Sequence, residues 1–172
     1  MQPLLTILIP TVVGREAEFD KLKGNIDLQC AILGGYDEVE ILSLKDNKEI
    51  TIGEKRERLY SMANGLFSWM IDDDDSIAPD AIQTILAVIK DNPNIPCITF
   101  RENCMMNGEY KSSNHSIKYE KWADNFDGYA YVRCPFYKDV IRTDIAKSVP
   151  FEYVRYNEDE KFSMAIKPLL TD

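Results

Sequence analysis

The chain has 172 residues, enough for one domain with a sizeable core. It is 45% hydrophobic and 28% charged, which excludes a disordered polypeptide. A net charge of -9 excludes a broad nucleic-acid footprint, which needs clustered lysine and arginine, but not a phosphate-bearing ligand whose charge a metal offsets locally.

Leu4 to Ile9 reads as a buried strand stopped by Pro10. Glu16 to Gln29 carries Phe19, Leu22 and Ile26 at helical spacing. Val39 to Leu44 is a second strand. Thr51 to Glu54 has the form of a capping box, and Leu59, Met62 and Ala63 give the following helix an apolar face. Phe67 to Ile71 is a third strand. Pro79 suits the first position of a helix carrying Ile82, Ile85, Leu86 and Ile89, which Asn92-Pro93 ends. Ile95 to Phe100 is a fourth strand.

The second half is patterned differently. Asn107-Gly108 is a hairpin-type turn. Lys111 to Gly128 is polar and irregular, and His115 reads as an exposed loop residue. Ala130 to Cys134 is a strand and Lys138 to Ser148 a helix. Asn157 caps a last helix with Glu158, Asp159 and Glu160 in its first turn and Phe162, Ala165, Ile166 and Leu169 on one face. No repeat or linker is present, so residues 1–172 form a single domain.

Cys30, Cys97, Cys104 and Cys134 include no C-x-x-C pair, and His115 is the single histidine, so a zinc site is not indicated. A chain of this size without a secretory leader suggests reduced thiols, small buried hydrophobes and a cytoplasmic location. No apolar stretch reaches the ~20 residues of a membrane span.

Strands separated by helices imply an α/β fold with a mostly parallel sheet flanked by helices. Ligands in such sheets bind at the carboxyl ends of the strands. Asp72, Asp73, Asp74 and Asp75 follow the third strand at such an end. Clustered carboxylates repel one another, so the run points to a bound cation, with a solvated turn as the bland reading. If the strand continues, Asp72 and Asp74 share one side about 6.6 Å apart, at roughly 3.3 Å per residue.

Several segments in order resemble glycosyltransferase family 2. They are Ile9-Pro10-Thr11, Lys45-Asp46-Asn47, Gly53 to Arg56 with Ala63-Asn64-Gly65, Trp69 to Asp75 followed by Pro79-Asp80-Ala81, and Glu158-Asp159. The resemblance implies a GT-A (nucleotide-diphospho-sugar transferase) fold, with residues 1–101 as nucleotide-binding half. Residues 102–172 would form a small irregular or antiparallel acceptor-side half. It implies sugar transfer from a nucleotide-diphosphate donor, a UDP-sugar, to a carbohydrate, lipid-linked or protein acceptor, with inversion. Asp72 and Asp74 match the D-x-D motif, with Asp74 the nearer ligand of Mn²⁺ or Mg²⁺. Asp46 would meet the uridine, and Pro10, Thr11, Lys55, Arg56, Asp72 and Asp73 would line the nucleotide pocket. Asp159 would be the general base, with Glu158 beside it. Asp73 fills a middle position that is often small or polar in the family. The chain stops soon after the last helix, so fewer protein ligands are expected on the diphosphate.

Such a metal would offset charge building on the leaving diphosphate, while a carboxylate near the acceptor hydroxyl takes its proton. A helix N-terminus favours the charged, base-competent form of Asp159. Bland readings stand beside these. Asp46-Asn47 is also a turn signal. Lys55 and Arg56 could pair with surface glutamates, as Arg58 can with Glu54 at i, i+4. Trp122, Tyr129 and Tyr131 suit either an acceptor platform or the core. Two other functions fit parts of the pattern. A haloacid-dehalogenase-type phosphohydrolase also places D-x-D after a strand, though usually the first one. A non-catalytic nucleotide-sugar or carbohydrate-binding module could use the same fold.

Overall fold

The computed structural model describes residues 2–154 and 157–170. Strand β1 (Leu5–Val12) lies inside a five-stranded sheet, with β2 (Val39–Asp46) on one side and β3 (Phe67–Met70) on the other, both parallel to it. Next to β3 lies β9 (Val140–Arg142), antiparallel, and beyond it β4 (Cys97–Ile98), antiparallel to β9. The order β2-β1-β3-β9-β4 therefore has four strands running one way and β9 the other.

A strand covered on both faces must be apolar along its length. Odd-numbered Ile7, Ile9, Phe67, Trp69 and Ile71 face one layer, formed by α1 (Glu16–Ile32) and α3 (Ala81–Asp91). Even-numbered Leu8 and Met70 face the other, formed by α2 (Ile52–Met62), α4 (Thr143–Ser148) and α5 (Glu158–Ile166). Helix α3 alone buries Ile82, Ile85, Leu86 and Ile89, each side chain contributing about 1.5–3 kcal/mol of transfer free energy. The polar exceptions are satisfied. Thr6 donates to Glu40 at 2.7 Å and accepts from the Gly65 N–H at 2.7 Å. A Cβ on Gly65 would lie 2.7 Å from the Thr6 nitrogen, so only glycine permits this approach.

A second sheet of order β5-β6-β8-β7 is built from β5 (Arg101–Met106), β6 (Glu109–His115), β7 (Ala123–Phe126) and β8 (Tyr129–Arg133). The β5–β6 hairpin turns at Asn107 and Gly108, with φ of 52° and 80°. Both left-handed values match the two-residue turn the sequence predicts. Asp127 and Gly128 turn the β7–β8 hairpin with φ of 54° and 79°.

Several boundaries depart from expectation. Residues 111–128 contain β7 and most of β6 rather than irregular chain; Lys111-Ser112-Ser113-Asn114 has no apolar period to reveal a strand. Lys138 to Ser148 holds β9 and a short α4 instead of one helix. Helix α3 begins at Ala81, so Pro79 precedes the cap rather than filling the first turn. Gln29 of α1 accepts there from the Ile82 N–H at 3.0 Å, capping α3 from a neighbouring helix. His115 is buried rather than exposed. Cys30 and Cys134 are buried, as expected of small hydrophobes. Among the described residues no helix is long and apolar enough to cross a membrane.

Candidate functional site

Strands β1 and β2 run in register to Val12 and Asp46, and β3 leads into the aspartate run beside them. The run does not continue the strand. The Asp75 N–H donates to the Asp72 carbonyl at 3.0 Å, closing a turn. The alternation expected of Asp72 and Asp74 therefore gives way to turn geometry. Asp73 points inward and is 1% exposed, while the Asp74 side chain is 51% exposed.

A cleft of about 250 Å³ opens here, lined by Pro10, Thr11, Val12, Arg15, Ile52, Lys55, Arg56, Asp72, Asp73 and Asp74. A larger cavity of about 390 Å³ lies at the opposite end of the sheet, around Asn64, Thr143 and Lys147. Of the segments singled out by the sequence only Ala63-Asn64-Gly65 lines it, and none of the candidate catalytic, nucleotide or metal residues does, so the smaller cleft is the candidate site.

Each aspartate of the run meets a protein cation. Arg15 Nη1 donates to Asp73 at 2.6 Å and Nη2 to Asp74 at 2.5 Å. Thr11 Oγ1 donates to the other Asp73 oxygen at 2.7 Å. Arg56 Nη2 reaches Asp72 Oδ1 at 3.1 Å, and the Tyr137 hydroxyl donates to Asp72 Oδ2 at 2.8 Å. Lys138 Nζ lies 2.7 Å from Asp75 and 3.8 Å from Asp72. Burial pushes the Asp72 carboxyl up, but Arg56, Lys138 and Tyr137 hold it below the usual carboxylate range. For Asp75 burial prevails over Lys138 and the carboxyl rises.

Helix α2 supplies the cations on the other wall. Thr51 caps it by accepting from the Glu54 N–H at 3.2 Å. Gly53 lets the Glu152 carbonyl approach, since a Cβ there would lie 2.2 Å from that oxygen. Lys55, 3% exposed, donates to the Thr11 carbonyl at 2.6 Å and pairs with Asp46. Burial pushes Asp46 up, yet Lys55 and the Ile50 N–H bring its carboxyl below the ordinary value. Arg56 stacks over the Tyr137 ring, 3.4 Å from its centroid, and its Nη1 pairs with Glu158. Its Nε is buried with no hydrogen-bond partner among the described residues. Buried lysine and arginine thus replace the surface-pair alternative.

Glu158, Asp159 and Glu160 occupy the first turn of α5, as expected. Asn157 stands at the cap in left-handed backbone (φ 63°) and makes no side-chain cap bond. Asp159 is partly buried and accepts from the Glu160 N–H at 2.8 Å. The structure therefore gathers Pro10, Thr11, Lys55, Arg56, Asp72, Asp73 and Asp74 at one cleft. Asp46 is tied to it through Lys55 and Glu158 through Arg56, and Asp159 shares the turn with Glu158. Trp122 packs on Phe136 and donates to Ser163 at 3.0 Å, a core position. Tyr129 and Tyr131 sit on β8, partly buried, beside Arg101 and Arg133.

Three contributors carry no signal of their own in the sequence. Arg15 lies in the charged loop after β1. Tyr137 and Lys138 reach the run because antiparallel β9 pairs with β3, and the Lys138 carbonyl accepts from Trp69 Nε1 at 3.0 Å.

The model of the family described as glycosyl transferase family 2 matches residues 28–155. The chain belongs to glycosyl transferase family 2. The matched stretch contains Asp46, Lys55, Arg56 and the aspartate run. Solved structures of S. aureus TarS share the fold. TarS 1-349 superposes with a TM-score of 0.57 at 16% identity, over 97% of this chain and 55% of that one. TarS 1-349 in complex with UDP-GlcNAc gives 0.60 at 15%, over 97% and 53%. The complex with UDP gives 0.60 at 15%, over 97% and 55%. This family 2 chain spans about half the length of those structures. No curated protein matches it by sequence. The mixed sheet flanked by helices is the GT-A fold.

Proposed function

We propose that the chain transfers a sugar from a UDP-sugar to an acceptor hydroxyl, with inversion and with Asp159 as general base. Family membership supports glycosyl transfer, and the UDP and UDP-GlcNAc complexes of TarS support the donor class. The observation that carries the reading is Arg56. One buried guanidinium joins Asp72, at the donor end of β3, to Glu158 in the first turn of α5. Donor-side and base-side carboxylates are thereby held by a single side chain. On the donor side Thr11, Lys55 and Arg56 would line the nucleotide, Asp46 would meet its base, and Asp73 would act by fixing Thr11 and Arg15.

Charge supports a divalent cation. Six carboxylates of the site (Asp46, Asp72, Asp73, Asp74, Asp75, Glu158) face four cations (Arg15, Lys55, Arg56, Lys138), leaving two formal negative charges. A nucleotide-diphosphate donor is itself an anion. The donor set is all oxygen, which suits Mn²⁺ or Mg²⁺. Only Oδ2 of Asp74 has a protein partner among the described residues, so this half-exposed carboxylate would hold the metal, with Asp72 behind it. Among the described residues no three metal-ligating side chains converge, so diphosphate oxygens would complete the shell. Bound there, the metal would offset the charge developing on the leaving diphosphate.

Thermal unfolding tests the reading. UDP with Mn²⁺ or Mg²⁺ should raise Tm by on the order of 5–10 °C at about 100-fold excess over Kd. UDP alone should not, and Asp74→Ala should abolish the shift. No stabilisation by any nucleoside diphosphate and metal overturns the proposal. Donor binding without even slow donor hydrolysis would favour a binding module instead.

A further inference from the structure

Arg15 stands apart from the other cations of the cleft. The side chains of Lys55, Arg56 and Lys138 are 3%, 5% and 23% exposed, and that of Arg15 is 41% exposed. It sits in the β1–α1 loop directly after Gly14, whose φ of 93° is left-handed. Its fork is asymmetric. Nη1 holds Asp73, which is 1% exposed and also fixed by Thr11. Nη2 holds Asp74 Oδ2, on a carboxylate half open to solvent. One arm is therefore fastened and the other rests on the carboxylate best placed to take a metal.

Two cations drawn to one carboxylate repel each other. A divalent ion on Asp74 would weaken the Nη2 contact without disturbing Nη1 on Asp73. The planar guanidinium would then present Nη2 toward the same cleft, where a diphosphate oxygen is its natural acceptor. We infer that Arg15 is an exchange residue: it competes with the divalent cation for Asp74 and, once displaced, binds the diphosphate of the donor. The inference rests on the donor-site reading above and adds a residue outside the segments that resemble the family.

Exchange makes two ligands respond in opposite directions to one substitution. Without Arg15 a metal loses its competitor, and a nucleoside diphosphate loses a hydrogen-bond donor. A residue that merely shapes the loop would move both affinities the same way or neither.

The full chain and its Arg15→Gln and Arg15→Lys variants are titrated with Mn²⁺ alone, free Mn²⁺ being read by its paramagnetic resonance signal. They are then titrated with UDP at saturating Mn²⁺ by calorimetry. Arg15→Gln should bind Mn²⁺ several-fold more tightly and UDP about tenfold more weakly. Arg15→Lys, which keeps the charge but not the fork, should fall between native and Gln on both scales; if Arg15→Gln does not fold, the lysine variant carries the test with the same two signs. Both affinities falling, both rising, or neither changing overturns the inference while leaving the donor site intact. A native chain that binds no nucleoside diphosphate with any divalent cation overturns both.

Discussion

Arg56 satisfies carboxylates in two directions and stacks on Tyr137, so its geometry is over-determined. Burial opposes its charge, but Tyr137, Asp72 and Glu158 keep its pKa above the ordinary arginine value. Such a residue fixes Glu158, and with it the helical turn that carries Asp159. Removing the Asp159 charge should therefore spare the donor side. Asp159→Asn should retain the UDP–Mn²⁺ thermal shift and lose transfer by roughly 10²–10⁴-fold. An equal loss of binding and turnover would mean that Asp159 serves the donor instead. Much of the cleft was legible in sequence because Thr11, Lys55, Arg56 and Asp72 to Asp74 each sit at a strand end or on the helix beside it. Arg15, Tyr137 and Lys138 were not. Their partners are 58 to 65 residues away, and no local pattern encodes such a meeting.

His115 at the end of β6 links secondary-structure elements. Its Nδ1 lies 3.0 Å from Asp139, just before β9, and its Nε2 lies 3.3 Å from Glu102 of β5. Asp139 also accepts from the Phe136 and Phe100 N–H groups at 3.0 and 3.3 Å. The small sheet is thus tied to the strand between β3 and β4. Burial pushes the His115 imidazole down, but the hydrogen bond to Asp139 and the nearby Glu102 carboxylate raise it to about 9. Burial pushes the Asp139 carboxyl up as well. With two carboxylates on the ring and two backbone donors on Asp139, a protonated histidine between carboxylates is the favoured form. A folded pKa above the unfolded value stabilises fully below about 6.5 and loses that contribution as pH rises through about 9. Native Tm should therefore fall between those values, and the native advantage over His115→Gln should shrink across the same range. An advantage independent of pH would show that the tie is not ionic. The sequence hid this tie because β5 and β6 are polar and half open to solvent. By contrast β1 to β3 and α1 to α3 carry clear apolar periods and were legible.

At the scale of the molecule, early and late segments share one core. Tyr60 of α2 stacks on Phe151 and on Phe162 of α5 at 6.0 Å, and Phe151 stacks on Phe162 at 4.2 Å. Leu8, Met70 and Ile141 of the sheet lie in the same cluster. A shared core predicts that the chain unfolds as one unit. Tryptophan fluorescence and far-ultraviolet circular dichroism should give the same urea midpoint, and separate midpoints would divide the chain. Phe162→Ala should lower stability by about 3–5 kcal/mol and shift both signals together.

The place of β9 has a consequence for synthesis. The flank of β3 away from β1 is covered by residues 140–142, so roughly seventy residues leave the ribosome before that edge is paired. Until then Phe67 to Ile71 is an apolar edge able to recruit the same strand of another nascent chain. Asp72 to Asp75 follow at once, and parallel in-register association would stack like charges against like. Charge repulsion along the acidic turn thus opposes that mode of self-association in the unpaired strand.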